Sequence, residues 1–282
     1  MVGRTGVGKS STINSLLGRE LLPVGDFEPT TMAVEKHDAT VEGVPICVID
    51  TPGLCDDLEA KGNDAAYLEL IRRDAKEVHC VWFVTRLDET RVRSDEKRAI
   101  QVLTEGLGVK IWDHAMIVFT FADAVPEDRY EAYLNKRTEL IRSAVAASIG
   151  PQKAARIPSV GVTNKGLMTP DGRYWSGHLL ATVASVLPSD RVVTIIQAVK
   201  DRLVTEEDAK AGKAKEDSII VDRDSGISLG RAVKQALESA KVGGEKGEEI
   251  GRIFGPEGEK VGRAVGTVVG GVVGFISGLF DW

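Results

Sequence analysis

Apolar residues along this 282-residue chain fall into two alternating rhythms. Four short runs are almost wholly apolar: VPICVI at 44–49, VHCVWFVT at 78–85, AMIVFTF at 115–121, and 157–162. Runs of that length and composition read as buried strands. Between them the apolar positions take helical spacing. Residues 10–17 place Ile13, Leu16 and Leu17 on one face and stop at Gly18, and residues 93–106 and 129–147 read as two further helices. Strand and helix alternate, which predicts an α/β fold with a mostly parallel sheet flanked by helices. Val192, Ile195, Ile196, Val199 and Leu203 then recur as the stripe of one amphipathic helix packed on the domain's own flank. Residues 205–224 are charge-rich, with 219–221 their only large apolar run, and read as a solvated helix end and linker. From Gly243 onward glycine dominates. These shifts divide the chain into a domain at 1–187, a helical extension and charged linker at 188–242, and a glycine-rich apolar tail at 243–282.

The most specific chemistry stands at the front. Gly3-Arg4-Thr5-Gly6-Val7-Gly8-Lys9-Ser10 fits G-x-x-x-x-G-K-[ST] at every fixed position. Gly6 and Gly8 let the backbone turn its N–H groups inward around a β-phosphate. Lys9 offers a point charge to the β- and γ-phosphates, and the Ser10 hydroxyl is a candidate Mg²⁺ ligand. Ser11 falls in the first turn of the next helix, whose dipole favours an anion, so residues 3–11 are read together as phosphate-binding. Such a loop usually follows a buried strand of about five or six residues. Only Met1 and Val2 precede Gly3, so most of that first strand is expected to be missing from this chain.

Asp50-Thr51-Pro52-Gly53 closes the 44–49 run as a D-x-x-G motif should. Asp50 is expected to hold Mg²⁺ through water. The Gly53 N–H would bond a γ-phosphate, so that loss of the phosphate releases the segment. Thr30 and Thr31 are both candidates to close over Mg²⁺ and the γ-phosphate, and spacing does not choose between them. The candidate metal set is therefore Ser10, Asp50 and one of these threonines. At the end of the third run, Thr120-Phe121-Ala122-Asp123 keeps the threonine and aspartate of [NT]-K-x-D, with Phe121 where the lysine belongs. A carboxylate at Asp123 would accept from guanine N1–H and N2–H, a donor pair that adenine lacks. The plainer reading of Asp123 is a turn or helix-capping residue. After the fourth run, Asn164 is a candidate second contact to the base. The nucleotide expected is GTP or GDP, with Mg²⁺.

Composition narrows the partners. A net charge of −6 without a Lys/Arg run argues against nucleic acid. Cys47, Cys55 and Cys80 have neither zinc nor disulfide-framework spacing and suit a reducing cytosol.

Residues 1–187 resemble the septin-related P-loop GTPases that include the immunity-associated nucleotide-binding proteins and the chloroplast outer-envelope import receptors. The resemblance rests on GRTGVGKSSTINSLLG at 3–18, TT at 30–31, DTPGLCD at 50–56, RLDETRVRSDEKRAIQVLTEGLG at 86–108, IVFTFADAVPED at 117–128 and PDGRYW at 170–175. It implies a G domain that binds and hydrolyses GTP and forms a homodimer or oligomer across its nucleotide face, with Asn164 at the base. The chain departs from that pattern in its absent first strand and in Phe121.

Leu54 follows the D-x-x-G motif where Ras-like proteins carry a water-orienting glutamine, so slow intrinsic hydrolysis is expected. Arg86 and Arg91 are candidates to complete a partner's site, against the plainer reading of solvated surface arginines. Gly262, Gly266, Gly270, Gly274 and Gly278 recur every four residues in a stretch uncharged from 264 to 280. Each would weaken a soluble helix by about 1 kcal/mol against alanine, yet the spacing suits close helix packing in lipid. Residues 261–282 are therefore expected to engage a membrane, placing the protein in the cytoplasm at a membrane's cytosolic face. A helix packed on protein and a disordered tail are the alternatives. Two functions follow: a slowly hydrolysing guanine-nucleotide switch, or an assembly or membrane-active scaffold whose nucleotide domain only gates oligomerisation.

Overall fold

The computed structural model describes residues 1–24, 35–50, 68–69, 72–73 and 78–242. Strands β1 (Glu35–Val41) and β2 (Val44–Asp50) form an antiparallel hairpin. Its two turn residues, Glu42 and Gly43, have φ of 47° and 78°, the left-handed pair that a two-residue hairpin turn requires. Strands β3 (Val81–Arg86), β4 (Ala115–Thr120) and β5 (Ser159–Gly161) are parallel, in that order. Met1 and Val2 lie between the two groups. The Met1 amine donates to the Ile49 carbonyl, and Val2 bridges to Phe83 through bonds of 2.9 and 2.8 Å. Around these two residues an apolar groove of about 440 Å³ opens between β2 and β3.

Strand alternation separates two cores. Trp82, Val84, Met116 and Val118 face one side of the sheet. They pack there with Ile13, Leu16 and Leu17 of α1 (Lys9–Leu17) and with Leu179, Leu180 and Val183 of α5 (Trp175–Val186). Val81, Phe83, Ala115, Ile117 and Phe119 face the other side. Their partners are Ile100 and Leu103 of α2 (Ser94–Leu107) and Ile141 and Val145 of α3 (Glu127–Ile149). The short α4 (Pro151–Ala154) leads into β5. Helices thus cover both faces of a mostly parallel sheet, which is why β3 and β4 carry no polar face. The strands at 78–85 and 157–162 are shorter than the sequence suggests, at Val81–Arg86 and Ser159–Gly161.

Two expectations fail beyond residue 187. Helix α6 (Ser189–Val199) ends before Leu203, which lies instead on strand β6 (Leu203–Thr205). Residues 205–224 are not a solvated linker. They hold α7 (Glu206–Lys210) and β7 (Ile219–Val221), the latter fully buried and parallel to β6. Three consecutive β-branched residues were enough to pair a strand inside a charged stretch. Helix α8 (Arg223–Val242) follows, and Leu229, Val233 and Ala236 join the same core as α5 and α6. Arg202 fastens this region to α1, donating to the Leu16 carbonyl at 2.6 Å and the Ser15 carbonyl at 2.8 Å. A cation on the last carbonyls of a helix satisfies orphan acceptors and opposes the negative end of the helix dipole.

Candidate functional site

The phosphate loop is a formed cradle. Gly6 and Gly8 take φ of 73° and 85°, a region costly for residues with a Cβ, and Gly8 is the N-terminal cap of α1. A side chain at Gly3 would collide with the Val84 carbonyl, so this position admits only glycine where the loop leaves the sheet. Lys9 is buried, 8% exposed, and its Nζ donates back to the carbonyls of Gly3 at 3.2 Å and Arg4 at 3.1 Å. Thr12 Oγ1 donates to the Gly8 carbonyl at 2.8 Å, and Thr120 Oγ1 donates to the Val7 carbonyl at 2.6 Å. Thr5 lies on the loop between Arg4 and Gly6, and Ser11 lies in the first turn of α1.

Beside the cradle, Ser10 Oγ donates to Asp50 Oδ2 at 3.3 Å. Asp50 sits at the end of β2 and is 2% exposed. A hydroxyl and a carboxylate are hard oxygen donors, the kind Mg²⁺ takes alongside phosphate and water, so this pair fits that ion. Thr30, Thr31, Gly53 and Leu54 lie outside the described residues, as does the glycine tail.

The candidate base-contact residues sit at strand ends. Thr163 Oγ1 donates to Asp123 Oδ1 at 2.9 Å, joining the exits of β4 and β5. Asn164 follows at once, and its Nδ2 reaches Thr12 Oγ1 at 3.4 Å, above the start of α1. The loop carrying Asn164 is closed by the PDGRYW stretch. Trp175 Nε1 donates to the Gly166 carbonyl at 3.0 Å, and Met168 bridges antiparallel to Tyr174. Phe121 adopts a left-handed φ of 54°, uncommon for a bulky residue. Over its ring, 3.8 Å from the centroid, stands the Arg86 guanidinium, which also grips Asp88 through bonds of 2.9 and 2.8 Å. This fork holds the Asp88 carboxyl below the usual carboxylate range and raises Arg86 further. Arg86 is thus engaged within its own chain, whereas Arg91 is exposed.

Residues 87–95 are held from both sides. Arg137, 1% exposed, donates to Glu96 Oε1 at 2.9 Å, to Thr85 Oγ1 at 2.8 Å and to the Arg91 carbonyl at 2.9 Å. Arg4 of the phosphate loop pairs with Glu89 at 2.7 Å and Asp95 at 2.9 Å. Motif reading passed over Arg137, Thr163 and the partners of Arg4. For Arg137 the only sequence signal is a charge on an otherwise partly apolar helix face, and the partners of Arg4 sit among other charges of the 88–96 segment.

Parallel strands, a glycine cradle at the head of α1 and a Ser–Asp pair beside it define a P-loop G domain, the nucleotide-binding fold of GTPases. The chain belongs to the AIG1 family, whose model matches residues 1–151. It is 31% identical over 205 residues to "Translocase of chloroplast 34" from Pisum sativum, covering 66% of this chain and 64% of that protein. The chain therefore spans somewhat less than two thirds of that relative. The crystal structure of Toc33 from Arabidopsis thaliana in complex with GDP and Mg²⁺ aligns with a TM-score of 0.53 at 28% identity, over 71% of this chain and 83% of Toc33. A structure of the chloroplast translocon components atToc33 and psToc159, for which dimerization is described as important for GTPase activity, aligns with a TM-score of 0.55 at 29% identity. It covers 66% of this chain and 80% of its own.

Proposed function

We propose that this chain is a GTPase that works as a slow guanine-nucleotide switch. It binds GTP and GDP with Mg²⁺ along the line from the phosphate loop to the exits of β4 and β5. The carrying observation is the pair Ser10–Asp50 beside a loop whose Gly6 and Gly8 hold the left-handed turns a phosphate cradle needs. Backbone N–H groups of residues 3–11 take the phosphates, and Lys9 exchanges its loop carbonyls for phosphate oxygens. Ser10, Asp50 and one of Thr30 and Thr31 would hold the metal, which neutralises charge on the phosphates when bound. Gly53 senses the terminal phosphate. At the other end Asp123, aimed by Thr163, accepts the two guanine donors, and Asn164 flanks the base from the β5 side.

Turnover by a lone copy is slow, because Leu54 has no group that orients water. A homodimer or higher oligomer across the nucleotide face raises it, in keeping with relatives for which dimerization is described as important for GTPase activity, with exposed Arg91 the better candidate than Arg86 to reach a second copy. Residues 261–282 hold the protein at the cytosolic side of a membrane. Among the described residues no helix is long and apolar enough to cross one.

Titrating the chain with GTP, GDP and ATP, and following hydrolysis against protein concentration, tests the reading. Preference for guanine nucleotides and a specific activity that rises with concentration are expected. Equal affinity for ATP and GTP would sink the base assignment. Fast turnover independent of concentration would sink the slow-monomer mechanism.

A further inference from the structure

The motif lysine that precedes the base-reading aspartate is replaced here by Phe121, and the structure shows what stands with it. Phe121 leaves β4 and Arg86 leaves β3, two strands that pair in register with Arg86 opposite Thr120. Both sit at the carboxyl ends of parallel strands, where ligands of open α/β sheets bind. The guanidinium lies 3.8 Å from the Phe121 ring centroid. Arg86 also lines a cavity of about 380 Å³ together with Thr5, Gly6 and Val7 of the phosphate loop. Asp88 grips the same guanidinium through bonds of 2.9 and 2.8 Å. The left-handed backbone of Phe121 is a strained arrangement that the surrounding structure must hold in place.

A lysine at position 121 would bring two properties in one side chain: an apolar stem that covers a flat ligand, and a positive charge near the phosphate loop. Phenylalanine keeps the first and loses the second. Arg86 supplies the second from the neighbouring strand, and its planar head is held on the ring by cation–π attraction.

We propose that the Arg86–Phe121 stack is part of the guanine nucleotide site and divides between two residues the work of the motif lysine, with Phe121 covering the purine and Arg86 placing the positive charge beside the loop. This inference rests on the nucleotide-binding reading above and names two further nucleotide-binding residues for it. Aromatic covering of a base is tolerant of base identity, so the stack supplies affinity while Asp123 supplies the choice of guanine.

The test uses the full chain, a fluorescent GDP analogue, and inorganic pyrophosphate as a competitor that has phosphates but no base. Arg86→Ala and Phe121→Ala should each weaken the GDP analogue by about tenfold. The Phe121→Ala loss should leave pyrophosphate affinity within about twofold of native. Phe121→Lys placed in the Arg86→Ala background should recover GDP binding to within about threefold of native, because one lysine restores stem and charge. Circular dichroism reports folding, and Phe121→Leu keeps the apolar volume without the flat face should the alanine variant fail to fold. The proposal is overturned if both alanine variants bind GDP as the native chain does. It is equally overturned if Phe121→Ala and Phe121→Leu lose GDP and pyrophosphate in equal measure, or if the lysine double variant shows no recovery. A native chain that binds pyrophosphate but not GDP would remove the guanine reading itself, and the stack with it.

Discussion

Eight consecutive residues, 3–10, make most of the phosphate cradle, whereas the proposed base edge draws Arg86, Phe121, Asp123 and Asn164 from the ends of three strands. At the first end the geometry is local. Gly6 and Gly8 set the turn and Lys9 folds over the same loop. At the second, each side chain is useful only if β3, β4 and β5 keep their register, and Thr163 and Trp175 tie the exits together. A cradle shaped mainly by its own residues tolerates most change elsewhere, Thr120 and the carboxylates that hold Arg4 excepted. An edge built from distant strands transmits it. Substitutions at the two ends should therefore separate phosphate affinity from base selectivity.

The largest effect is expected at the cradle. Lys9→Ala should weaken GTP binding by at least roughly 3 kcal/mol by isothermal titration, since it removes a charge aimed at the phosphates. The melting temperature should barely move, and a Lys9→Ala protein that binds GTP within about threefold of native would count against the phosphate-loop reading. Next comes Asp123→Asn, at about 2–4 kcal/mol against GTP with a gain for xanthine nucleotide, whose altered edge suits an amide. Competition between GTP and XTP reads this directly, and unchanged preference would move base recognition elsewhere.

Smaller effects sharpen the contrast. Thr163→Val removes the hydroxyl that aims Asp123 and should cost about 1 kcal/mol of GDP affinity without changing pyrophosphate binding. Parallel losses for both ligands would show that the two ends are not separable. Smallest, Arg202→Ala uncaps α1 at the end remote from the nucleotide. It should lower stability by about 1 kcal/mol, or about 2–4 °C in thermal melts, and leave GDP affinity unchanged.

The same contrast governs how far the site could be read from sequence. Residues 3–10 and Asp50 were legible because their chemistry is written in contiguous positions, and Asp50 duly meets Ser10. The parallel sheet was legible from wholly apolar runs, since a strand buried on both faces leaves no room for polar residues. Thr163 and Arg137 were not, because the bonds that tie them to Asp123 and Glu96 span 40 or more residues. Arg86 was expected either to complete a partner's site or to be a solvated surface arginine, and its ring partner lies at the end of another strand. Residues 205–224 misled for a related reason. Their charges are solvated, yet three buried residues at 219–221 suffice to form a strand when β6 is waiting beside them.

The tethering of Arg4 has a consequence for kinetics. Its guanidinium is neutralised by Glu89 and Asp95, which fixes one side of the loop to the segment after β3 before any anion arrives. The entropy of ordering the cradle is then lost during folding and not at each encounter. Nucleotide capture should consequently proceed at a rate set by diffusion and by the pull of Lys9 and the α1 dipole, with dissociation carrying the differences between GTP and GDP.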